Sequence, residues 1–198
     1  MTFLIAKGDA NACGPGCDKW IAAEGNIDYD AAKRFRDFLK EPGRRSLTVF
    51  FNSPGGSTIQ ARIMGRMMRE YRMRAGVART VPIGLEQKAH LFTFDSRCAS
   101  ACVYALIGAS VREVSPDAGL GIHAIRFVWT APGPIRGPPP SMEAAQERLR
   151  NYVVEMGVDA ALVDVAARAG ADDIHWLTRA EIEKFHIDTR DVPNGPLH

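Results

Sequence analysis

A serine set among small residues, Cys98-Ala99-Ser100-Ala101-Cys102, opens a short apolar run, and a histidine, His123, follows 23 positions later. Serine is a weak nucleophile until a base takes its proton, and an imidazole with an ordinary pKa of about 6.5 is such a base. At a helix start, small neighbours let a substrate carbonyl approach the Ser100 hydroxyl. A second cluster, Asn52-Ser53-Pro54-Gly55-Gly56, follows an apolar strand. The backbone N–H groups of Gly55 and Gly56 can there face an oxygen carrying negative charge, although Pro-Gly-Gly also builds plain tight turns. Singly these residues are ordinary; together they hold the parts of a nucleophilic acyl-transfer site.

The elements needed to position them are legible in the hydrophobic period. The chain alternates β-like runs with amphipathic helices, which gives an α/β fold class. Strands are expected at Phe3–Ala6, Trp20–Ala23, Leu47–Phe51, Val77–Val81, Leu91–Phe94, Val111–Val114 and Leu120–Ile125, the last carrying His123. Helices are expected after Asp28 or Asp30, over Ile59–Tyr71, from Ser100 to Ile107, after Ser141, from Asp159 to Ala169, and after the Thr178/Glu181 capping box. So the glycines sit at a strand-to-helix turn and Ser100 at a helix start. Five of the twelve prolines fall between Ala131 and Pro140, which predicts an extended, exposed segment; the tail from Pro193 is expected to fray.

Composition removes several classes. With 198 residues, 46% apolar and 24% charged, the chain is an ordinary globular protein of about one domain. A net charge of +2 gives no case for a nucleic-acid partner. The longest apolar stretch, Ala101–Ile107, is far short of a membrane span, and the first residues lack the basic segment of a signal peptide.

The ordered set of an apolar strand into Asn52-Ser53-Pro54-Gly55-Gly56, then Ser100-Ala101, then Gly121-Ile122-His123, resembles the Clp protease proteolytic subunit family. The likeness extends through Gly108-Ala109, Pro116-Asp117-Ala118 and Thr178-Arg179-Ala180-Glu181 to Ile187-Asp188, and so over most of residues 19–188. The Cys13–Cys17 and Trp20–Gly25 segments look like a predicted periplasmic bacterial branch of that superfamily. The resemblance implies a ClpP/crotonase-like ββα superhelix, with residues 1–198 as a single domain and 127–141 as a proline-rich loop leading into a helical C-terminal part. It implies a serine peptidase-like hydrolase in which Ser100 is the nucleophile, His123 the general base, and the amides of Gly55 and Ala101 the oxyanion hole, with Gly56 keeping the turn open. The family's third member is an Asp two residues before an aromatic. Counting back from Trp176 reaches Ile174, so Asp173 is the nearest candidate and Asp172 the fallback, and a Ser–His dyad or a lapsed catalyst is equally compatible. No metal or organic cofactor is implied. Peptide or protein is the implied substrate, and a homo-oligomer is expected, without an identified unfoldase partner. Two other readings use the same scaffold: a non-catalytic binding module, and a crotonase-like acyl-thioester enzyme, which Ser100 argues against.

Four cysteines form two C-x₃-C pairs, Cys13/Cys17 and Cys98/Cys102. Disulfides are expected, with three connectivities open; free buried thiols and a four-cysteine zinc site are the rivals. Disulfides would suit the periplasm, whereas a missing signal peptide would suit the cytoplasm. His90, His175, His186 and His198 show no ligand spacing. Arg62, Arg66 and Arg69 recur at i, i+4 and i+7, a basic stripe expected to face solvent or else an acidic partner.

Overall fold

A computed structural model of the chain describes residues 1–83, 88–126 and 141–190. The expected proline-rich loop at 127–140 and the tail from Pro193 lie outside the described residues. Five strands build the main sheet in the order β1 (Thr2–Lys7), β2 (Lys19–Glu24), β3 (Val49–Asn52), β4 (Arg74–Val77), β8 (Val111–Glu113). β1 runs antiparallel to β2, and the others run parallel. Parallel neighbours need crossovers, supplied here by α1 (Ala31–Phe38), α2 (Thr58–Glu70) and α3 (Ala101–Leu106). The sheet's middle strands read as apolar runs because both faces are covered: Ile21, Ala23, Val49, Phe51, Ala75 and Val77 are all buried.

A second sheet carries the segments on which Ser100 and His123 lie. It has the order β10 (His175–Trp176), β9 (Gly119–Ile122), β7 (Arg97–Ala99), with β7 parallel to β9 and β10 antiparallel to it. A bridge from Ser53 to Cys98 joins the end of β3 to β7, so the glycine turn and the serine meet where the sheets meet. The remaining pair is the hairpin β5 (Arg79–Ile83) with β6 (Lys88–Phe92).

Two sequence expectations shift. The run Val77–Val81 is not one strand: Ala78, fully buried, donates to the Phe51 carbonyl and turns the chain from β4 into β5. The strand predicted over Leu120–Ile125 ends at Ile122, because Ala124 donates to the Gly170 carbonyl instead of to a strand partner. His123 is therefore one residue beyond the strand, with a side chain not fixed by the pleat.

Of the C-terminal helices α4 (Met142–Glu155), α5 (Ala161–Ala169) and α6 (Arg179–Lys184), the first and last are capped as their sequences predict. Ser141 accepts from the Ala144 amide, and Thr178 and Glu181 form both halves of a capping box. The basic stripe on α2 is only partly solvated. Arg66 grips Glu155 through two nitrogens, Arg69 donates to the Ile107 and Met156 carbonyls, and Arg62 donates to the Arg148 carbonyl. The stripe thus ties α4 to α2. Gly65 lets Tyr152 of α4 approach: a Cβ there would collide with the Tyr152 hydroxyl, which donates to the Tyr104 carbonyl at 2.6 Å. A buried cation completes the fastening. Arg112, 3% exposed, donates to the carbonyls of Ile107, Ala109, Met156, His186 and Ile187. Burial, aided by Arg69, brings its pKa down to about 10.

Candidate active site

Ser100 stands between β7 and α3 with φ 55° and ψ −122°. Few non-glycine residues adopt positive φ, and such a conformation costs on the order of 1–3 kcal/mol unless the surroundings hold it. Here they do. The Ser100 amide donates to Gly121 O at 2.7 Å, Ala99 N to Ser53 O at 3.0 Å, and Ser53 N to Arg97 O at 2.7 Å. A sharp strand-to-helix turn of this kind lifts a serine hydroxyl clear of the sheet end, as the nucleophile elbows of serine hydrolases do. In those elbows glycines occupy the positions two before and two after the serine, where the chain closes on itself. Here those positions are Cys98 and Cys102, joined in a disulfide with their Cα atoms 5.2 Å apart.

The other disulfide is Cys13–Cys17, so each C-x₃-C pair closes on itself. A bridge from the Cys13 segment to the serine's helix, one of the connectivities the sequence left open, is not formed. The double variant Cys98→Ala/Cys102→Ala is expected to lose about 2 kcal/mol of stability, the chain-entropy value for so short a loop, and to label more slowly at Ser100. The Cys13→Ala/Cys17→Ala variant should leave labelling unchanged, since that loop is remote from the turn; denaturant midpoints and serine-directed labelling rates check both.

Strand register brings His123 and Ser100 to the same end of the second sheet, and among the described residues no hydrogen bond joins their side chains. β7 and β9 pair Ala99 with Gly121, so the two residues leave adjacent strands within one position of each other. Both are half-buried and both line one cavity of about 840 Å³. The His123 Nδ1 lies 2.8 Å from Ala124 O. A carbonyl only accepts, so Nδ1 carries the proton and Nε2 of the neutral ring keeps its lone pair.

No carboxylate among the described residues contacts His123. Asp173, the sequence candidate, is exposed, and its Oδ1 accepts from the Ile174 amide at 2.8 Å. Asp172 pairs with Arg126 at 3.1 Å on the surface. β10 pairs His175 with Ile122 and Trp176 with Gly121, so Ile174 is the next position opposite His123 in that register, each one residue outside its strand.

The two glycines of the turn make different contacts. The Gly55 N–H donates to Ser53 Oγ at 3.1 Å, and its carbonyl accepts from Ile27 N. Gly55 lies against the serine turn instead of the cavity: a Cβ there would sit 2.6 Å from Ala99 O and 2.7 Å from Ser100 Cβ. Gly56 lines the cavity, and its N–H makes no hydrogen bond among the described residues. Ala101 is the first residue of α3, so helix geometry leaves its N–H without an intrahelical acceptor. Among the described residues no cluster of His, Cys, Asp or Glu could hold a metal ion, and no helix is long and apolar enough to cross a membrane.

Sequence reasoning missed Tyr104, Arg126 and Arg148 of the cavity wall, and placed Arg62 only in the basic stripe.

No family model matches the sequence, and no curated protein matches it. Solved structures do resemble it. ClpP1 from Listeria monocytogenes superposes with a TM-score of 0.56 at 18% identity, covering 85% of this chain and 87% of that one. A serine-to-alanine mutant of the 1510-N membrane-bound stomatin-specific protease gives 0.55 at 15% identity, covering 86% and 78%. A lysine-to-alanine mutant of the same protease, in complex with a substrate peptide, gives 0.54 at 17% identity, covering 86% and 74%. At these identities the likeness is one of architecture, and by it the chain has the Clp peptidase/crotonase-like α/β fold.

Proposed function

We propose that the protein is a serine peptidase-like hydrolase working through a Ser100–His123 dyad. The observation that carries this reading is the strained turn at Ser100, held by hydrogen bonds from two sheets beside an imidazole with a free Nε2. Strain of this size at a residue lining a cavity is what a nucleophile's turn requires, whereas a packing role would not need it.

In the reaction Ser100 Oγ attacks the carbonyl carbon of a peptide bond while its proton passes to His123 Nε2. The oxyanion is held by the N–H groups of Gly56 and Ala101, Gly55 keeping the turn close to the serine. Collapse breaks the C–N bond, and the amine leaves with the proton from Nε2. Water, activated by the same nitrogen, then releases the acyl group from Ser100. The Ala124 carbonyl orients the ring as a third residue would, but as a neutral acceptor it stabilises the imidazolium less than a carboxylate does.

That difference is itself testable. Ile174→Asp puts a carboxylate at the position opposite His123 in register, and Ile174 is 38% exposed, so the change is tolerable. A gain of about tenfold or more in kcat/KM for a fluorogenic peptide is expected, because an anion beside Nδ1 stabilises the imidazolium. The reading as a whole is tested by hydrolysis of such peptides by wild type and Ser100→Ala. Turnover by wild type alone supports it, and equal background rates contradict it. One observation favours the non-catalytic binding module instead: the position opposite His123 in register is apolar.

The reading includes an oxidising compartment, which two disulfides suit, and association between copies of the chain, for which the exposed Phe92, last in β6, and Phe94, two residues on, offer apolar surface.

A further inference from the structure

The wall of the cavity beside Ser100 is rich in donors that have no acceptor. Buried side-chain polar atoms are nearly always partnered, so each exception calls for an explanation. Among the described residues three buried side-chain atoms lack a partner, Arg62 Nε, Arg69 Nε and Tyr104 Oη, and the first and last belong to residues lining this cavity. Tyr104 is only 2% exposed.

Charge points the same way. Three arginines line the cavity: Arg62, Arg126 and Arg148. Asp28 is the one carboxylate among the lining residues, and it is already engaged by Arg34 and by the amino group of Met1. Arg126 has only Asp172, in an exposed pair. Arg62 and Arg148 have no carboxylate partner among the described residues; Arg62 gives one nitrogen to the Arg148 backbone carbonyl. Two guanidiniums brought together in a partly desolvated wall repel one another, and burial together with the nearby Arg66 and Arg148 lowers the Arg62 pKa. An anionic ligand removes that repulsion and supplies the missing acceptors at once. Ile59, Ile125 and Leu149 give the wall an apolar part.

We propose that Arg62 and Arg148, with Tyr104, form a carboxylate subsite, so that the preferred substrate is a peptide bearing an acidic side chain or a free C-terminal carboxylate next to apolar residues. The proposal rests on the hydrolase reading in assigning that peptide as substrate, but binding can be measured without turnover. Planar guanidinium groups suit a carboxylate because they form paired, charge-assisted hydrogen bonds with it. Arg148 sits on the exposed side of α4, where substitution does not disturb the core.

The test uses octapeptides with a neutral fluorophore, a single Glu stepped through the sequence, Gln counterparts at each position, and free-acid or amidated ends. Their binding to Ser100→Ala is read by fluorescence anisotropy. A carboxylate at the favoured position should tighten binding about tenfold over its amide, the value expected of one charge-assisted contact. The advantage should fall toward unity in Arg148→Gln and in about 0.5 M salt, and persist in Arg148→Lys. Preference for a Glu side chain or for the free-acid end tells the two carboxylate sources apart. Equal binding of acid and amide peptides, no binding up to millimolar concentration, or a preference untouched by Arg148→Gln overturns the subsite. Labelling of the wild-type serine by a neutral fluorophosphonate separates the two ideas. Labelling without acid preference removes the subsite alone, and acid preference without labelling removes the hydrolase alone while supporting the subsite.

Discussion

Ser100→Ala is expected to lower peptide hydrolysis at least about a thousandfold, and His123→Ala by a comparable factor, with the double variant no worse than either single one. The two residues act as one unit: without the hydroxyl there is nothing for Nε2 to deprotonate, and without the imidazole the Oγ proton has no acceptor. The Ser100→Ala protein should unfold at nearly the wild-type denaturant midpoint, because alanine at φ 55° is as strained as serine and no hydrogen bond of the Ser100 side chain supports the fold. Additive losses in the double variant would mean that the two side chains act separately.

Gly55→Ala is expected to cost about 3 kcal/mol or more of stability and about a hundredfold in kcat/KM. Gly55 has φ +104°, and an added Cβ would lie 2.6 Å from Ala99 O, 2.7 Å from Ser100 Cβ and 3.0 Å from Ala101 N. Two of these are backbone atoms that cannot swing away, so relief requires the serine turn itself to move. The control is Gly157→Ala at the end of α4, where φ is +68° but no atom lies within 4 Å of the new Cβ. That change carries only the left-handed penalty of about 1 kcal/mol and should leave turnover intact. If both variants lose activity alike, positive φ and not contact with Ser100 is responsible.

How much of this was legible in the sequence depends on the range of the interaction. Local signals read through well: the apolar strand running into Pro54-Gly55-Gly56, the small residues around Ser100, the Ser141 cap and the Thr178/Glu181 box all stand where their chemistry places them. Signals that depend on another segment did not. Ala78 divides a uniform β-like run because its amide meets the Phe51 carbonyl, a contact 27 residues away that no period reveals. The arginines of α2 look like a solvated stripe until α4 is laid across them. Arg112 falls in a run that the sequence shows only as a strand, yet it is buried among five carbonyls, three of them from residues 44 to 75 positions away. In the site, sequence order named Ser100 and His123, whereas register decided which position lies opposite His123. Counting back from Trp176 reaches Ile174, an apolar residue; the structure adds that Asp173 accepts from the Ile174 amide and that the Ala124 carbonyl accepts a hydrogen bond from the imidazole. The division of work between Gly55 and Gly56 was invisible for the same reason, since it depends on Ser53 Oγ and on Ile27.

The most direct measurement is intact mass after incubation with a neutral fluorophosphonate, since only a serine that is deprotonated by a neighbour and faces oxyanion donors is attacked readily. Wild-type protein should gain a single adduct, mapped to Ser100 by peptide sequencing, while Ser100→Ala and His123→Ala gain none. Wild-type protein that stays unmodified with its disulfides intact would contradict an assembled nucleophile, whatever the strain at its turn.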